Sequence, residues 1–578
     1  MGEKDRAMRP ALLALVALAA LPALLAATLA LPVGAAEPKS LPMPHPELPV
    51  GQKLTAYVGP RFVTGERFVP VAKAVLVDET GRVRALLKEA PPVGTYPTVK
   101  LPGALAVPGL HDAHLHVQGV GQAKDRVALL GSKSPAEVKA KVAAWAAQHK
   151  DAAAVRGRGW DQSLFPGAAW PSWRDLEGAT DKPILLSRVD GHAAWANQAM
   201  LALAGITAKT PDPKGGKIHK DDKGEPTGIL IDNAIDLAEA KLPAPSEADL
   251  ERWLLGGLHA FAAAGLTAVT DQGTSKAAWR VLARLDDAGK LPIRVFVYLD
   301  GAEEGALELL GQRAPTDKLR ALGVKLYADG AMGSRGAALL ADYSDEKGNQ
   351  GLLLTEPKVL LERVRAVHGK GFAAAIHAIG DRGNRVVLDA FQASRPPAGV
   401  RDRVEHAQLV HPADFARFAK LGAIASMQPT HATSDMRWAE ARVGKERVKG
   451  AYAWHTMLKD GAALAFGSDA PVEDERPALG IYAALTRQDA AGQPPGGFLP
   501  EERLSQAETL AAFAAGAAFA VGLERELGAL TPGMFFDVSL FSDDAALATD
   551  KGDASAWLRT KPVGVVVGGA LRAPGSAK

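Results

Sequence analysis

The stretch Val107-Pro108-Gly109-Leu110-His111-Asp112-Ala113-His114-Leu115-His116 decides how the chain is read. An apolar run enters it and Pro108-Gly109 interrupts the run just before the histidines. In an extended strand, side chains at i and i+2 leave the same face. His114 and His116 therefore converge on one point, an arrangement suited to a divalent ion such as zinc. His111 lies three residues before His114, on the other face under strict alternation. It reads either as a support behind the ligands or as a packed histidine.

Outward from this stretch, apolar strand-like runs alternate with Ala/Leu-rich helical stretches as far as about residue 520. Runs at 104–107, 152–157, 184–188, 268–270, 294–299, 324–328, 373–377, 403–406, 423–427 and 463–467 are strand candidates. Stretches at 135–149, 247–264, 358–370 and 412–421 are helix candidates. Strands alternating with helices argue for an α/β fold with a parallel sheet, and over some 400 residues a closed barrel is the expected closure. The stretch from about 120 to 260 exceeds what a barrel connection needs and reads as an insertion facing the substrate. Short β-like runs at both ends suggest one sheet domain built from residues 52–107 and 521–578, around a barrel spanning 108–520.

Barrel enzymes collect their functional groups from the C-terminal ends of different strands. Lys325 sits inside the apolar run Val324-Lys325-Leu326-Tyr327, where an unpaired ammonium is costly. Carbamylation would convert it to an anionic oxygen ligand; pairing with Asp329 or another carboxylate is the other reading. His377 and His406 each end a strand-like run, and Asp469 follows Ala465-Phe466-Gly467-Ser468. Each position alone could be structural. All of them following a His-x-His, in barrel order, point to one metal centre.

This order resembles the amidohydrolase superfamily. The closest likeness is to amidohydrolase family 3, the YtcJ-like branch that includes N-substituted formamide deformylase. The phrases that carry it are Pro108 to His116, Arg158-Gly159-Trp160-Asp161, Arg188-Val189-Asp190-Gly191-His192 with Asn197, and Glu225-Pro226-Thr227-Gly228. Further ones are Lys325 to Arg335, His377 with Gly380-Asp381, Arg403-Val404-Glu405-His406, Met427-Gln428-Pro429-Thr430-His431 and Gly467-Ser468-Asp469. The resemblance implies a distorted (β/α)8 TIM barrel with a composite β-sandwich domain from the N- and C-terminal segments. It also implies one or two divalent ions, zinc foremost, held by His114, His116, His377, His406 and Asp469, with Lys325 as a carboxylated bridge. Asp469 would also shuttle the proton. His192, Arg335 and His431 are candidates for substrate contact by their place in these phrases. Trp160, Trp195 and Met332 could shape an apolar pocket, plain packing being the alternative. For Arg335, in a loop just past the Lys325 strand, a pocket role is the preferred reading.

Composition narrows the rest. Among 578 residues, 67 Lys and Arg face 65 Asp and Glu, a net charge of +2. There is no broad basic field for nucleic acid. The chain has no cysteine, which removes disulfides, thiolate nucleophiles and thiolate ligands. Lys4, Arg6 and Arg9 precede an apolar run from Pro10 to Val33, and Gly34-Ala35-Ala36 offers small residues for cleavage. Residues 1–36 thus read as a signal peptide of a secreted or periplasmic protein, with an uncleaved membrane anchor as the alternative. Residues 37–51 read as a Pro-rich linker. The expected function is hydrolysis of a non-peptide amide or N-formyl bond in a small molecule by metal-activated water. A deaminase or cyclic amidase on the same site and a noncatalytic metal-binding barrel are the alternatives. A homodimer is left open.

Overall fold

A computed structural model describes residues 53–64, 70–243, 245–543 and 552–572. The leader and linker expected at 1–51 lie outside the described residues.

Eight parallel strands form the central sheet: β1 (Leu110–Leu115), β2 (Leu266–Thr274), β3 (Arg294–Asp300), β4 (Leu319–Tyr327), β5 (Ala373–Ala378), β6 (Arg403–His406), β7 (Ile424–Met427) and β8 (Ala463–Phe466). Each pairs in parallel with the next. Past the end of β8 the chain meets β1 again. The Asp469 amide donates to the His114 carbonyl at 2.7 Å, and the His116 amide to that of Ala470 at 2.8 Å. These bonds close a nearly complete TIM-type barrel. Being covered on both faces, its strands are apolar almost throughout, as buried parallel strands are.

Helices return the chain between strands. The helix Lys276–Asp287 begins at Ser275, whose side chain accepts from the Ala278 amide. Ala278, Val281, Leu282 and Leu285 form its buried stripe at helical spacing. Pro357–Gly369, Asp381–Ser394, Phe415–Leu421 and Pro429–Arg447 play the same part before β5, β6, β7 and β8.

Between β1 and β2 the chain builds a second, six-stranded mixed sheet. Its strands are Val127–Ala128, Val155–Trp160, Ile184–Arg188, Ala193–Ala196, Gly216–Lys220 and Pro226–Asp232. The apolar runs at 152–157 and 184–188 belong to this sheet and not to the barrel, and it has its own core around Trp160, Trp195, Leu186 and Ile229.

The two ends of the chain share a third sheet. Val538–Phe541 runs antiparallel to Leu105–Pro108, with Val538 opposite Pro108, so the last strands extend a sheet begun by the first. Tyr57, Phe62, Phe536 and Val566 pack within it, and the Tyr57 hydroxyl donates to the Gly569 carbonyl at 2.7 Å. One buried ion pair fastens this sheet to the barrel. The Arg294 guanidinium meets both oxygens of Asp537, at 2.6 and 3.0 Å, at the base of β3. Removing one partner of a buried pair leaves an uncompensated charge. Asp537→Ala should therefore cost about 3–5 kcal/mol of stability, read as a lower midpoint in chemical unfolding.

Candidate metal centre

The C-terminal ends of the barrel strands bring together the residues singled out in the sequence. His114 comes from β1 and His116 from just beyond it, Lys325 from β4, His377 from β5, His406 from the end of β6, and Asp469 from the turn after β8. His406 and Asp469 have left-handed backbones, with φ of 74° and 59°. Strain of that kind persists where the surrounding structure imposes it, and here it turns both residues inward at their strand ends.

The side chains meet closely. One ligand atom from each of His114, His406 and Asp469 lies within 4.8 Å of the other two. The His116 Nε2 is 3.1 Å from Asp469 Oδ1. The His377 and His406 rings have centroids 4.6 Å apart, and Lys325 Nζ is 3.5 Å from His114 Nε2. Their outer nitrogens are taken up by the protein: His114 Nδ1 by Glu405 at 2.5 Å, His116 Nδ1 by the Gln272 carbonyl at 2.8 Å, His406 Nδ1 by Gln428 Oε1 at 2.9 Å. That commits each of these three rings to offer Nε2 to the centre.

Protonation follows from burial. Burial, then the nearby Lys325 ammonium, pushes His114 down to about 4. His377 and His406 are driven well below the usual histidine range, first by burial and then by neighbouring imidazoles. Burial also lowers Lys325, to about 8. For Asp469 burial acts upward, but the surrounding histidines hold the carboxyl well below the usual range. Neutral imidazoles around a carboxylate are the forms that bind a cation. Among the described residues, His377 Nε2 at the centre is buried without a hydrogen-bond partner. Native interiors rarely leave such an atom unsatisfied, and a divalent ion would satisfy it. The donor set fits.

Above the centre lies a cavity of about 370 Å³. His377, His406 and Asp469 form part of its lining, with His192, Met332 and His431. His192 arrives from the inserted sheet, with Nδ1 2.7 Å from Asp232 Oδ1. His431 starts the helix Pro429–Arg447 and places Nε2 3.6 Å from Asp469 Oδ2.

The amidohydrolase family model matches residues 98–572. The chain belongs to the amidohydrolase family. Among its relatives, the putative amidohydrolase YtcJ of Bacillus subtilis is 31% identical, the match covering 77% of this chain and 85% of that protein. N-substituted formamide deformylase of Arthrobacter pascens is 28% identical, over 75% of this chain and 82% of its own. Among solved structures, an uncharacterized metal-dependent hydrolase from Pyrococcus horikoshii superposes with a TM-score of 0.68 at 28% identity, covering 84% of this chain and 96% of that one. Family and neighbours together support a hydrolase with a divalent metal.

Two expectations about this family member's pocket need correction. Trp160 is fully buried in the core of the insertion, where its indole donates to the Leu186 carbonyl at 2.7 Å. Gly159, with φ of 107°, and an irregular register between Arg158 and Trp160 turn the strand, so Gly159 and Asp161 line the cavity while Trp160 does not. Trp195 packs in the same core. Arg335, with φ of 59°, turns away from the cavity and pairs with Asp345 at 3.1 Å and Glu346 at 3.2 Å. Met332, three residues earlier, lines the cavity instead.

Other residues of the site carried no signal as single positions. Glu405 is the main one, fully buried and gripped by Arg403 at 2.8 Å while it bonds His114. It stands beside His406 in a phrase already noticed, but its role depends on contact with a residue 291 positions away. Asp329 is a second. Its carboxylate accepts from the amides of Ala338, Ile379 and Gly380 and lies 3.8 Å from His377 Nε2. That disposes of the reading in which Asp329 pairs with Lys325. His111 is of the packed kind, with Nε2 2.8 Å from the Thr270 hydroxyl and its ring against Phe296. Because outer partners orient ligands, Glu405→Gln should weaken divalent-metal affinity by about 10–100-fold. Competition with a chelator measures it, and an unaltered affinity would remove Glu405 from that role.

Proposed function

We propose that the chain is an exported metal-dependent hydrolase that cleaves the C–N bond of a non-peptide amide or N-formyl group in a small molecule. The observation that carries this reading is the convergence of buried imidazoles and Asp469 on one point at the barrel mouth. His114, His116, His377, His406 and Asp469 would hold one or two divalent ions, zinc foremost, with Lys325 as a carboxylated bridge between two. Such an ion, when bound, acidifies a water and withdraws electrons from a carbonyl.

The chain's own residues supply the remaining work. Asp469 is anionic and faces the cavity, so it accepts the proton of the attacking water and returns one to the departing nitrogen. Among the described residues His431 Nε2 makes no hydrogen bond, and it lies 3.6 Å from Asp469 Oδ2, where it can hydrogen-bond the oxygen on which negative charge develops. His192, anchored through Nδ1, turns Nε2 to the substrate from the other wall. Met332, Leu164 and Val472 provide apolar surface that limits water.

Metal-loaded protein should be challenged with amides, formamides, imidazolones and aminated bases. Turnover confined to cyclic amides or aminated bases would replace the open-chain reading. Asp469→Asn should lower kcat by about 10²–10⁴-fold with metal still present by elemental analysis; unchanged turnover would sink the assigned role. Export is supported by the basic, apolar and small-residue order of 1–36. In a Gram-negative host the periplasmic product should begin at Glu37 by terminal sequencing, and retention of Met1 would contradict cleavage.

A further inference from the structure

Around the proposed hydrolytic site the charges do not balance. Arg188 and Arg437 are the arginines of the cavity lining, and both are spent on the insertion's own carboxylates. Arg188 pairs with Asp161 at 2.9 Å and with Asp190, and Arg437 with Asp161 at 2.8 Å. Asp474 is paired with Arg476 at 2.7 Å. Two lining carboxylates are left over. Asp435 is bonded to neutral donors, the Tyr452 hydroxyl at 2.6 Å and the Gln408 amide at 3.1 Å. Glu473 is bonded to the Ser434 hydroxyl. Among the described residues neither has a lysine or arginine within ion-pair distance.

Both carboxyls are raised, Asp435 to about 7, chiefly by burial; the Glu473 charge adds to the rise at Asp435 and the Asp469 charge to that at Glu473. Both side chains are half-buried in the cavity wall, where an opposite charge close by favours the ionised carboxylate. A second observation points into the same space. His431 is 8% exposed and lines the cavity with Nε2 unpartnered. It lies four residues before Asp435, on the same face of one helix, which puts their Cβ atoms roughly 5–6 Å apart. Glu473 follows Asp469 by four residues along the turn after β8. Both carboxylates line the same cavity as Asp469 and His431.

We propose that Asp435 and Glu473 form a subsite for a cationic group of the substrate, so that the preferred substrate is an amide or formamide carrying an ammonium, amidinium or guanidinium a few bonds from the scissile carbonyl. The placement of that carbonyl rests on the hydrolytic reading; the affinity of the subsite for a cation does not.

The test uses the metal-loaded protein and three matched compounds: a mono-N-formyl diaminoalkane, its ω-hydroxy analogue and its ω-carboxy analogue. The cationic compound should exceed the neutral one by about tenfold or more in kcat/KM, corresponding to about 1.4 kcal/mol, with the anionic compound poorest. Glu473→Gln and Asp435→Asn, which keep shape and remove charge, should each shrink that ratio. Binding of butylammonium, followed by calorimetry with butanol as the neutral control, provides a readout without turnover and should be lost in the double variant. Equal kcat/KM for cationic and neutral compounds, or butylammonium binding that survives in a folded double variant, overturns the subsite. If none of the three compounds is cleaved while butylammonium binds through the two carboxylates, the subsite stands and the hydrolytic reading falls.

Discussion

Closure of the barrel between its first and last strands is the constraint on which the site depends. Strands β1 and β8 are separated by some 350 residues of chain, and the amides of His116 and Asp469 bind them together. Asp112 completes the seam. Its carboxylate accepts from the amides of His114 at 3.1 Å and Ser468 at 3.0 Å, while its own burial pushes it up to about 7. Gly467 makes the approach feasible, since a Cβ there would lie 2.5 Å from both Asp112 Oδ1 and the His114 nitrogen. Two ligand-bearing segments are thus locked in register by backbone bonds, and the distance from His114 to Asp469 does not depend on side-chain flexibility.

The interior charges form a second layer of constraint. Arg403, Glu405 and His114 make a chain of contacts with every member at or near zero exposure. Two ionised groups in such a place are tolerable only when each satisfies the other. The Arg403 guanidinium achieves this by bonding Glu405, the Ala113 carbonyl and the Ser426 hydroxyl together. Glu405 is thereby held well below the usual carboxylate range, with the arginine as the main downward influence against burial. The anion that orients His114 is itself fixed by strands β1, β6 and β7. Lys325, by contrast, has no carboxylate at ion-pair distance among the described residues and sits in the same buried space. Burial lowers its ammonium to about 8.

Legibility in the sequence followed the range of the interactions. His114 and His116 could be read because strand alternation is a local rule, and the strand-end residues His377, His406 and Asp469 because barrels concentrate function at one end of the sheet. Parallel strands buried on both faces announce themselves as apolar runs, so the barrel itself was readable. The failures arose where a single backbone feature redirects a side chain. At Gly159 an irregular register sends Trp160 into the core and Asp161 to the cavity, and at Arg335 a left-handed backbone sends the side chain to Asp345. Neither feature follows from composition or spacing. Glu405, Asp112 and Asp329 were hidden for a different reason: each acts through a partner distant in sequence, and an acidic residue in a strand has no local signature of what it will touch.

The division of labour between barrel and insertion explains why family membership says more about reaction type than about substrate. The metal-facing groups come from strand ends, whose positions follow from closure and register. The cavity walls come from elsewhere: His192 and Arg188 from the inserted sheet, His431 and Asp435 from the helix after β7, Glu473 from the turn after β8. Loops and insertions can change without disturbing the strand hydrogen bonds, so wall chemistry can vary while the centre stays fixed. In this chain two parts of the wall are joined where Arg437 of the barrel helix pairs with Asp161 of the insertion at 2.8 Å. Asp161 also receives Arg188, so the insertion is pinned over the barrel mouth through a carboxylate shared by two arginines. That sharing consumes both lining arginines and leaves Asp435 and Glu473, on the helix and turn side of the cavity, without a lysine or arginine partner among the described residues, so one contact both holds the insertion over the site and takes up the cationic side chains of the cavity wall.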